Sequence, residues 1–167
     1  MKLFFFRASL LLTVISIFTA CSPIGTVSAT PQLTEQKTTP FIYSASELET
    51  LKLINDYRVS IGLNTLEAIS YLSLKSEEHD VYMIDNNVVN HNDFVSRSED
   101  IMKVLGANTV SENIAYNYST PTMALNAWLN SPAHKENIEG DYTNFGIAIR
   151  ENPVDGSKYY TNIFVKI

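Results

Sequence analysis

The spacing of apolar positions predicts a helix in the stretch SASELETLKLINDYRVSIG, where the folded part of the chain is predicted to start. The apolar residues that recur there at helical intervals are Leu48, Leu51, Ile54 and Val59. Ser46 and Glu49 have the spacing of a capping box, and Gly62 is a typical C-terminal stop. The pattern therefore predicts an amphipathic helix that begins near Ser46 and ends before Gly62.

Three further helices are predicted downstream. The second covers about Ala68 to Asp85. Its predicted buried face carries Ile69, Leu72, Ser76, His79 and Met83. A third fits SRSEDIMKVLG, where Ser96 and Glu99 have capping-box spacing and Gly106 is a stop. A fourth begins at Thr120-Pro121, and its predicted buried residues are Ala124, Leu125, Trp128 and Leu129.

The later part of the chain carries the strand patterns. ENIAYNY alternates in part and is typical of a short strand that leads into the fourth helix. NFGIAIRE and KYYTNIFVKI are rich in β-branched and aromatic residues, and the turn cluster NPVDGS joins them into a predicted hairpin. Helices first and an antiparallel sheet built mostly at the end predict an α+β domain.

The stretch NSPAHKENI has the pattern of a short capped helix. Ser131 is a suitable N-cap, and Pro132 suits the first helical position because it lacks an amide hydrogen. His134 follows two residues later, where the direction of its side chain is well fixed. The capping pattern therefore predicts a rigidly held histidine.

The start of the chain has the pattern of an export signal. Lys2 and Arg7 form a positive region, and Ser9 to Thr19 is an uncharged, mainly apolar run that is too short to span a membrane. Cys21, the only cysteine, follows directly in IFTAC, which resembles a bacterial lipobox. An ordinary cut after VSA at residues 27–29 is the alternative. The mature protein is therefore predicted to be extracytoplasmic, either lipid-anchored to the membrane at Cys21 or secreted in soluble form.

Composition divides the chain into a signal peptide at 1–20, a flexible tether rich in proline and threonine at 21–43, and a folded domain at 44–167. For PFIY at the end of the tether, the alternative is an arm docked on the domain. The net charge of −6 at pH 7 argues against nucleic acid as a partner and against anionic lipid bound by charge. With Cys21 used as an anchor, the core must hold the domain without disulfides.

The three histidines and one glutamate are the candidate site residues. His79 lies on the apolar face of the second helix and is predicted to be a core histidine with a satisfied hydrogen bond. His91 follows in a polar loop, His134 lies on the capped turn, and Glu112 opens ENIAY, where a carboxylate needs a partner. Together His91, Glu112 and His134 would supply three zinc ligands and one open position. The alternative is a polar core network without a ligand.

Motifs of several familiar enzyme classes are missing from the sequence. HKENI and HDVYM do not have the HExxH pattern of a zinc protease helix. The chain also lacks GxSxG and a glycine-rich phosphate loop. Their absence favours binding over catalysis.

Six blocks of sequence resemble one family. LINDYRVSIGLNTL, HDVYM with a histidine twelve residues on, SENIAY, AWLNSPAHKENI, YTNFGIAI and YYTNIFVKI resemble, in order and spacing, the CAP superfamily of cysteine-rich secretory, antigen 5 and pathogenesis-related proteins. The likeness is to its bacterial SCP-like extracellular branch and covers about Ser46 to Ile167. It implies a three-layer α-β-α sandwich with an antiparallel central sheet.

The resemblance also implies a cleft lined by two histidines and two glutamates, in which some members bind a divalent metal. By motif position His91 and His134 are similar to the two histidines and Glu112 to one glutamate, whereas His79 lies outside the set. Ser131 stands where the second glutamate belongs, so Zn²⁺ or another divalent metal would have at most three ligands. Losing one carboxylate also weakens any two-carboxylate acid/base scheme.

These observations lead to one hypothesis and two alternatives. The hypothesis is a lipid-anchored, extracytoplasmic, non-enzymatic CAP domain that binds an envelope component or a protein partner. The first alternative is a metal-dependent, peptidase-like hydrolase that uses His91, Glu112 and His134. The second is a lipid or small-molecule carrier.

Overall fold

A computed structural model describes residues 40–167 of the chain. The predicted signal peptide, Cys21 and residues 21–39 of the predicted tether lie outside the described residues. Within residues 40–167 there is no helix with the length and apolar character needed to cross a membrane.

Five helices and four strands make up the described part of the chain. The helices are α1 (Ala45–Ser60), α2 (Ser70–Asn86), α3 (Phe94–Leu105), α4 (Pro121–Leu129) and α5 (Pro132–Glu139). The strands are β1 (Glu67–Ala68), β2 (Thr109–Tyr116), β3 (Asn144–Glu151) and β4 (Lys158–Lys166). They form a sheet in the order β1-β3-β4-β2, in which β1 runs parallel to β3 and the other neighbours are antiparallel.

Helices cover both faces of the sheet, as the predicted three-layer sandwich requires. Side chains alternate along β4, so that Ile163 and Val165 pack against α2 and α3 while Tyr160 and Phe164 pack against α1, α4 and α5. Each face therefore has its own apolar core. The predicted strands and hairpin are confirmed, and the short parallel β1 makes the predicted antiparallel sheet a mixed one.

The start of α1 differs from its prediction. The capping box is formed by Ser44 and Glu47 rather than by Ser46 and Glu49. The carboxylate of Glu47 is buried and also accepts hydrogen bonds from the amide of Ile149 and the guanidinium of Arg150. These partners on β3 draw Glu47 inward, and the tertiary contact decides which of two similar motifs caps the helix.

The buried face of α1 is more polar than its apolar spacing predicts. Leu51 and Ile54 are buried as expected, whereas Leu48 and Val59 are 54% and 57% exposed. Arg58 is fully buried on the inward face, where backbone carbonyls accept its hydrogen bonds. Only two of the four apolar residues that were predicted to line the buried face of this helix are therefore buried.

Helix α2 agrees closely with its prediction, although Ala68 belongs to β1 and Ile69 precedes the first turn. Leu72, Ser76 and Met83 are buried on its sheet-facing side. A Cβ atom at Gly146 of β3 would lie 2.5 Å from both the Cβ of Leu72 and the amide nitrogen of Ser73. The glycine of NFGIAI therefore lets α2 and β3 approach closely.

Helix α3 begins earlier than predicted and without the Ser96/Glu99 capping box. Asp93 occupies the N-cap position in a left-handed conformation, with φ 55°, and its side chain makes no capping hydrogen bond. Gly106 ends the helix with φ 71°, as predicted. Arg97 is the fourth residue of the observed helix, and its guanidinium donates hydrogen bonds to Glu112 of β2.

Two boundary regions complete the fold. Phe41 is buried, and its ring meets that of Tyr43, whose hydroxyl lies 2.9 Å from the Ser73 hydroxyl. Phe41 and Tyr43 of PFIY therefore pack against the domain, as in the alternative of a docked arm. Helix α4 has Thr120 as its N-cap, as predicted, but Leu129 is only half-buried.

Candidate functional site

Strand β2 lies at one edge of the sheet, and two side chains bind its outward-facing carbonyls. Nε1 of Trp128 donates to the carbonyl of Ile114 at 2.8 Å. Nδ2 of Asn137 donates to the carbonyl of Glu112 at 3.2 Å. The tryptophan and asparagine of AWLNSPAHKENI thus attach α4 and α5 to ENIAY and protect the edge from pairing with another strand.

The side chain of Asn113 holds α5 in position along β2 through two hydrogen bonds. Its Oδ1 accepts from Nδ2 of Asn137 at 2.8 Å, and its Nδ2 donates to the carbonyl of His134 at 2.9 Å. Ser131 occupies the predicted N-cap position, but its side chain makes no capping hydrogen bond. Contacts with β2 hold His134 in place, and the predicted serine cap does not contribute.

Arg58 of α1 holds the opposite end of α5. Its Nη1 donates to the carbonyls of Ile138 and Gly140 at 2.7 and 2.9 Å. These carbonyls lie at the C-terminal end of the helix, where its dipole favours a positive charge. Burial lowers the pKa of Arg58 without threatening its charge, because a guanidinium stays protonated in proteins.

Three side chains hold the loop between α2 and α3, which carries His91. Nε2 of the buried His79 donates to the carbonyl of Asn90 at 2.8 Å, so the prediction of a core histidine with a satisfied hydrogen bond is confirmed. Nη1 of Arg97 donates to the carbonyl of Asn92 at 3.2 Å. Between these two anchors, Nδ1 of His91 donates to Oε1 of Glu112 at 2.9 Å. Nδ1 carries the proton because a carboxylate can only accept.

Glu112 is 5% exposed and forms a two-point ion pair with Arg97. Nε of Arg97 donates to Oε2 at 2.9 Å, and Nη2 donates to Oε1 at 3.0 Å. Burial by itself raises the pKa of Glu112, but the hydrogen bond from His91 and the charge of Arg97 outweigh it and lower that pKa. Sequence reasoning missed Arg97, whose only signal was a lone arginine among polar residues at a helix start.

The cleft lies beside the edge of β2, between α4, the start of α5 and the His91 loop. It has a volume of about 460 Å³. His91 and His134 both line it, with Ile114, Tyr116, Tyr118 and Trp128 among the other lining residues. Burial and then the nearby His91 lower the pKa of His134. The two predicted histidines therefore share a cleft, while Glu112 lies behind His91.

The arrangement of these side chains bears on the predicted metal set of His91, Glu112 and His134. Within residues 40–167, no group of three His, Cys, Asp or Glu side chains is arranged to hold a metal ion. Both oxygens of Glu112 accept hydrogen bonds from Arg97, and a cation bound there would face a guanidinium. Zinc binding by His91, Glu112 and His134 remains a prediction for titration to test.

Residues 51–165 match the model for the CAP, or cysteine-rich secretory protein, family. The chain belongs to the CAP family. The match includes β2, α4, α5 and the His91 loop, which line the cleft, and the resemblance expected from the sequence blocks is confirmed.

Two bacterial relatives match this chain over part of their own length. It is 33% identical over 132 residues to the uncharacterized membrane protein YlbC of Bacillus subtilis (strain 168), covering 75% of this chain and 36% of that protein. It is 31% identical over 141 residues to the uncharacterized protein YkwD of the same strain, covering 80% of this chain and 55% of that protein. The chain thus spans roughly a third to a half of these relatives.

Solved CAP structures share the fold. An outer surface protein from Borrelia burgdorferi matches with a TM-score of 0.66 and 25% identity, over 75% of this chain and 96% of that one. An extracellular SCP-domain protein from Bacillus anthracis matches with a TM-score of 0.64 and 25% identity, over 73% of this chain and 40% of that one. The three-layer CAP fold is therefore confirmed.

Proposed function

We propose that this chain is an extracytoplasmic, lipid-anchored CAP-domain protein that binds an envelope component in the cleft between His91 and His134. The observation that carries the proposal is the cleft itself. Three side chains from α2, α3 and β2 hold the loop of His91, and contacts with β2 and α1 hold both ends of α5. Prearranged walls lower the entropic cost of binding.

Two independent features support the location. IFTAC resembles a lipobox at the end of an apolar run, and the similar proteins include an outer surface protein and an extracellular SCP-domain protein. A tether between Cys21 and the domain would let the cleft reach envelope material at a distance from the membrane.

Retention of solubilised envelope material by the immobilised full chain tests the proposal. The wild type is compared with a His91→Ala/His134→Ala variant and with a matched surface control, Lys52→Ala, whose side chain is 72% exposed. We expect the wild type and Lys52→Ala to retain the same envelope component and the double variant to lose it. Equal retention by all three proteins would refute cleft binding.

A second candidate function, hydrolysis, is favoured by one specific contact. A buried carboxylate orients the imidazole of His91 through Nδ1, as in catalytic histidines that act as general bases from Nε2. Turnover of envelope-derived peptides that disappears in His91→Ala would support the hydrolase. A chelator separates two forms of this candidate: activity that is lost supports the metal-dependent hydrolase predicted from the sequence, and activity that persists supports a metal-independent one.

A further inference from the structure

We infer that the ligand of the cleft is an uncharged amphipathic molecule, with an aromatic or aliphatic body and an amide or hydroxyl group at one end. The inference rests on the proposed cleft binding and adds the chemical class of the ligand. Its first support is charge. Aspartate, glutamate, lysine and arginine are all missing from the lining of the cleft in the described part of the chain.

The buried carboxylate that hydrogen-bonds to His91 already has a charged partner. The carboxylate of Glu112 is neutralised by Arg97 and lies behind the ring of His91. A charged ligand would therefore lose water without gaining an opposite charge in return, and such an exchange is unfavourable. A neutral ligand avoids this penalty.

The cleft has a polar end and an apolar end. His91 binds Glu112 and the carbonyl of His134 binds Asn113, so both histidines lie beside the middle of β2. Tyr116 is the last residue of the strand, and Tyr118 lies just beyond it. A ligand that fills the cleft thus meets imidazoles at one end and phenol rings at the other.

The polar end requires a group that both donates and accepts hydrogen bonds. Since Nδ1 of His91 carries the proton that it donates to Glu112, Nε2 is the nitrogen of the ring that is left to accept a hydrogen bond. Ser131 adds a hydroxyl that the helix start does not use. An amide or hydroxyl can donate to Nε2 and accept from Ser131, whereas a carboxylate would place its lone pairs against that of Nε2.

Trp128 allows a direct test because it is the only tryptophan in the chain and lies in the wall of the cleft. The probes are phenylacetamide, phenylacetate and phenethylamine, which share a phenyl body and differ in charge. Each is titrated at pH 8 into the full chain, and tryptophan fluorescence is recorded. We expect phenylacetamide to bind at least about tenfold more tightly than either charged probe, a difference of about 1.4 kcal/mol.

Two variants test whether the fluorescence change comes from a probe bound at the polar end of the cleft. Ser131→Ala removes a hydroxyl that makes no capping hydrogen bond, and it should weaken the binding of phenylacetamide severalfold. Lys52→Ala should bind phenylacetamide as tightly as the wild type does. Tighter binding of phenylacetate or phenethylamine, equal binding of all three probes, or no binding by any probe would overturn the inference. Envelope retention is measured without these probes, so a wrong ligand class and a failure of cleft binding give different results.

Discussion

Arg97 and Glu112 form a two-point ion pair, with Nε donating to Oε2 at 2.9 Å and Nη2 donating to Oε1 at 3.0 Å. Parallel hydrogen bonds of this kind are among the strongest polar contacts in proteins. The pair explains how a carboxylate that is 5% exposed stays charged beside apolar residues. It also leaves the carboxylate engaged with a cation from its own chain.

The ion pair predicts how zinc binding responds to mutation. In Arg97→Gln the positive charge is lost, and Glu112 becomes available beside His91. We expect calorimetric titration to show that zinc affinity rises by about tenfold or more over the wild type, the size of effect typical of groups around a metal site. Wild-type binding that is strong and is lost in His91→Ala/His134→Ala would instead establish the metal site predicted from the sequence.

Removing the Arg58 guanidinium should destabilise the domain. Arg58→Met keeps most of the side-chain volume but leaves the carbonyls of Asn64, Ile138 and Gly140 without their donor. We expect urea denaturation to show a free energy of unfolding lower by about 3 kcal/mol. Lys52→Met, on the exposed face of the same helix, should change it by no more than about 0.5 kcal/mol. Equal stability of both variants would show that Arg58 is dispensable.

Asp80 should make the stability of the domain depend on pH. Its side chain is fully buried, Oδ1 accepts from Thr161 at 2.6 Å, and Oδ2 has no partner within the described residues. Burial raises its pKa well above the usual range, although the hydrogen bond from Thr161 and the charge of Arg150 oppose it and Glu47 and Glu112 add to it. The folded state therefore binds this proton more tightly than the unfolded state.

The sign of the effect follows from proton linkage. The contribution of Asp80 to stability is fully present below its unfolded pKa of about 4 and is lost as the pH rises through the folded pKa. We expect the free energy of unfolding of Asp80→Asn, measured in urea, to increase relative to that of the wild type as the pH is raised above about 4. A difference that stays constant from acid to neutral pH would contradict the raised pKa.

The lipid anchor can be tested in the producing cell. If Cys21 carries the lipid, a Cys21→Ser chain should leave the membrane fraction and appear in soluble form. Fractionation followed by immunoblotting measures this, with Ser22→Ala as a neighbouring control that should remain in the membrane fraction. Membrane fractionation that is unchanged in Cys21→Ser would refute the lipid anchor, whereas a wild-type chain that is already soluble would favour an ordinary cut after VSA.

The sequence predicted the elements well where local physics decides them. Gly106 ends α3 because glycine adopts a positive φ readily, and Thr120-Pro121 starts α4 through a hydroxyl cap and a fixed φ. The strands were found because their β-branched and aromatic residues suit a sheet that is covered on both faces. The sequence blocks also led to the CAP family before any contact was known.

Polar residues with distant partners were harder to predict. Capping boxes were assigned at Ser46 and Ser96, but the first forms at Ser44 because Glu47 meets Arg150, more than a hundred residues away. Arg97 was missed for a similar reason, since its partner lies fifteen residues on and on another element. Local spacing contains no information on such pairs.

The sequence by itself determined the elements, the family and the candidates His91, Glu112 and His134, because periodicity, turn chemistry and motif order are local properties. Only the tertiary structure decided that the two histidines share a cleft while Glu112 stands behind one of them, paired with Arg97. The physical reason is that a buried charge takes whichever partner the packing of the helices on the sheet brings within reach.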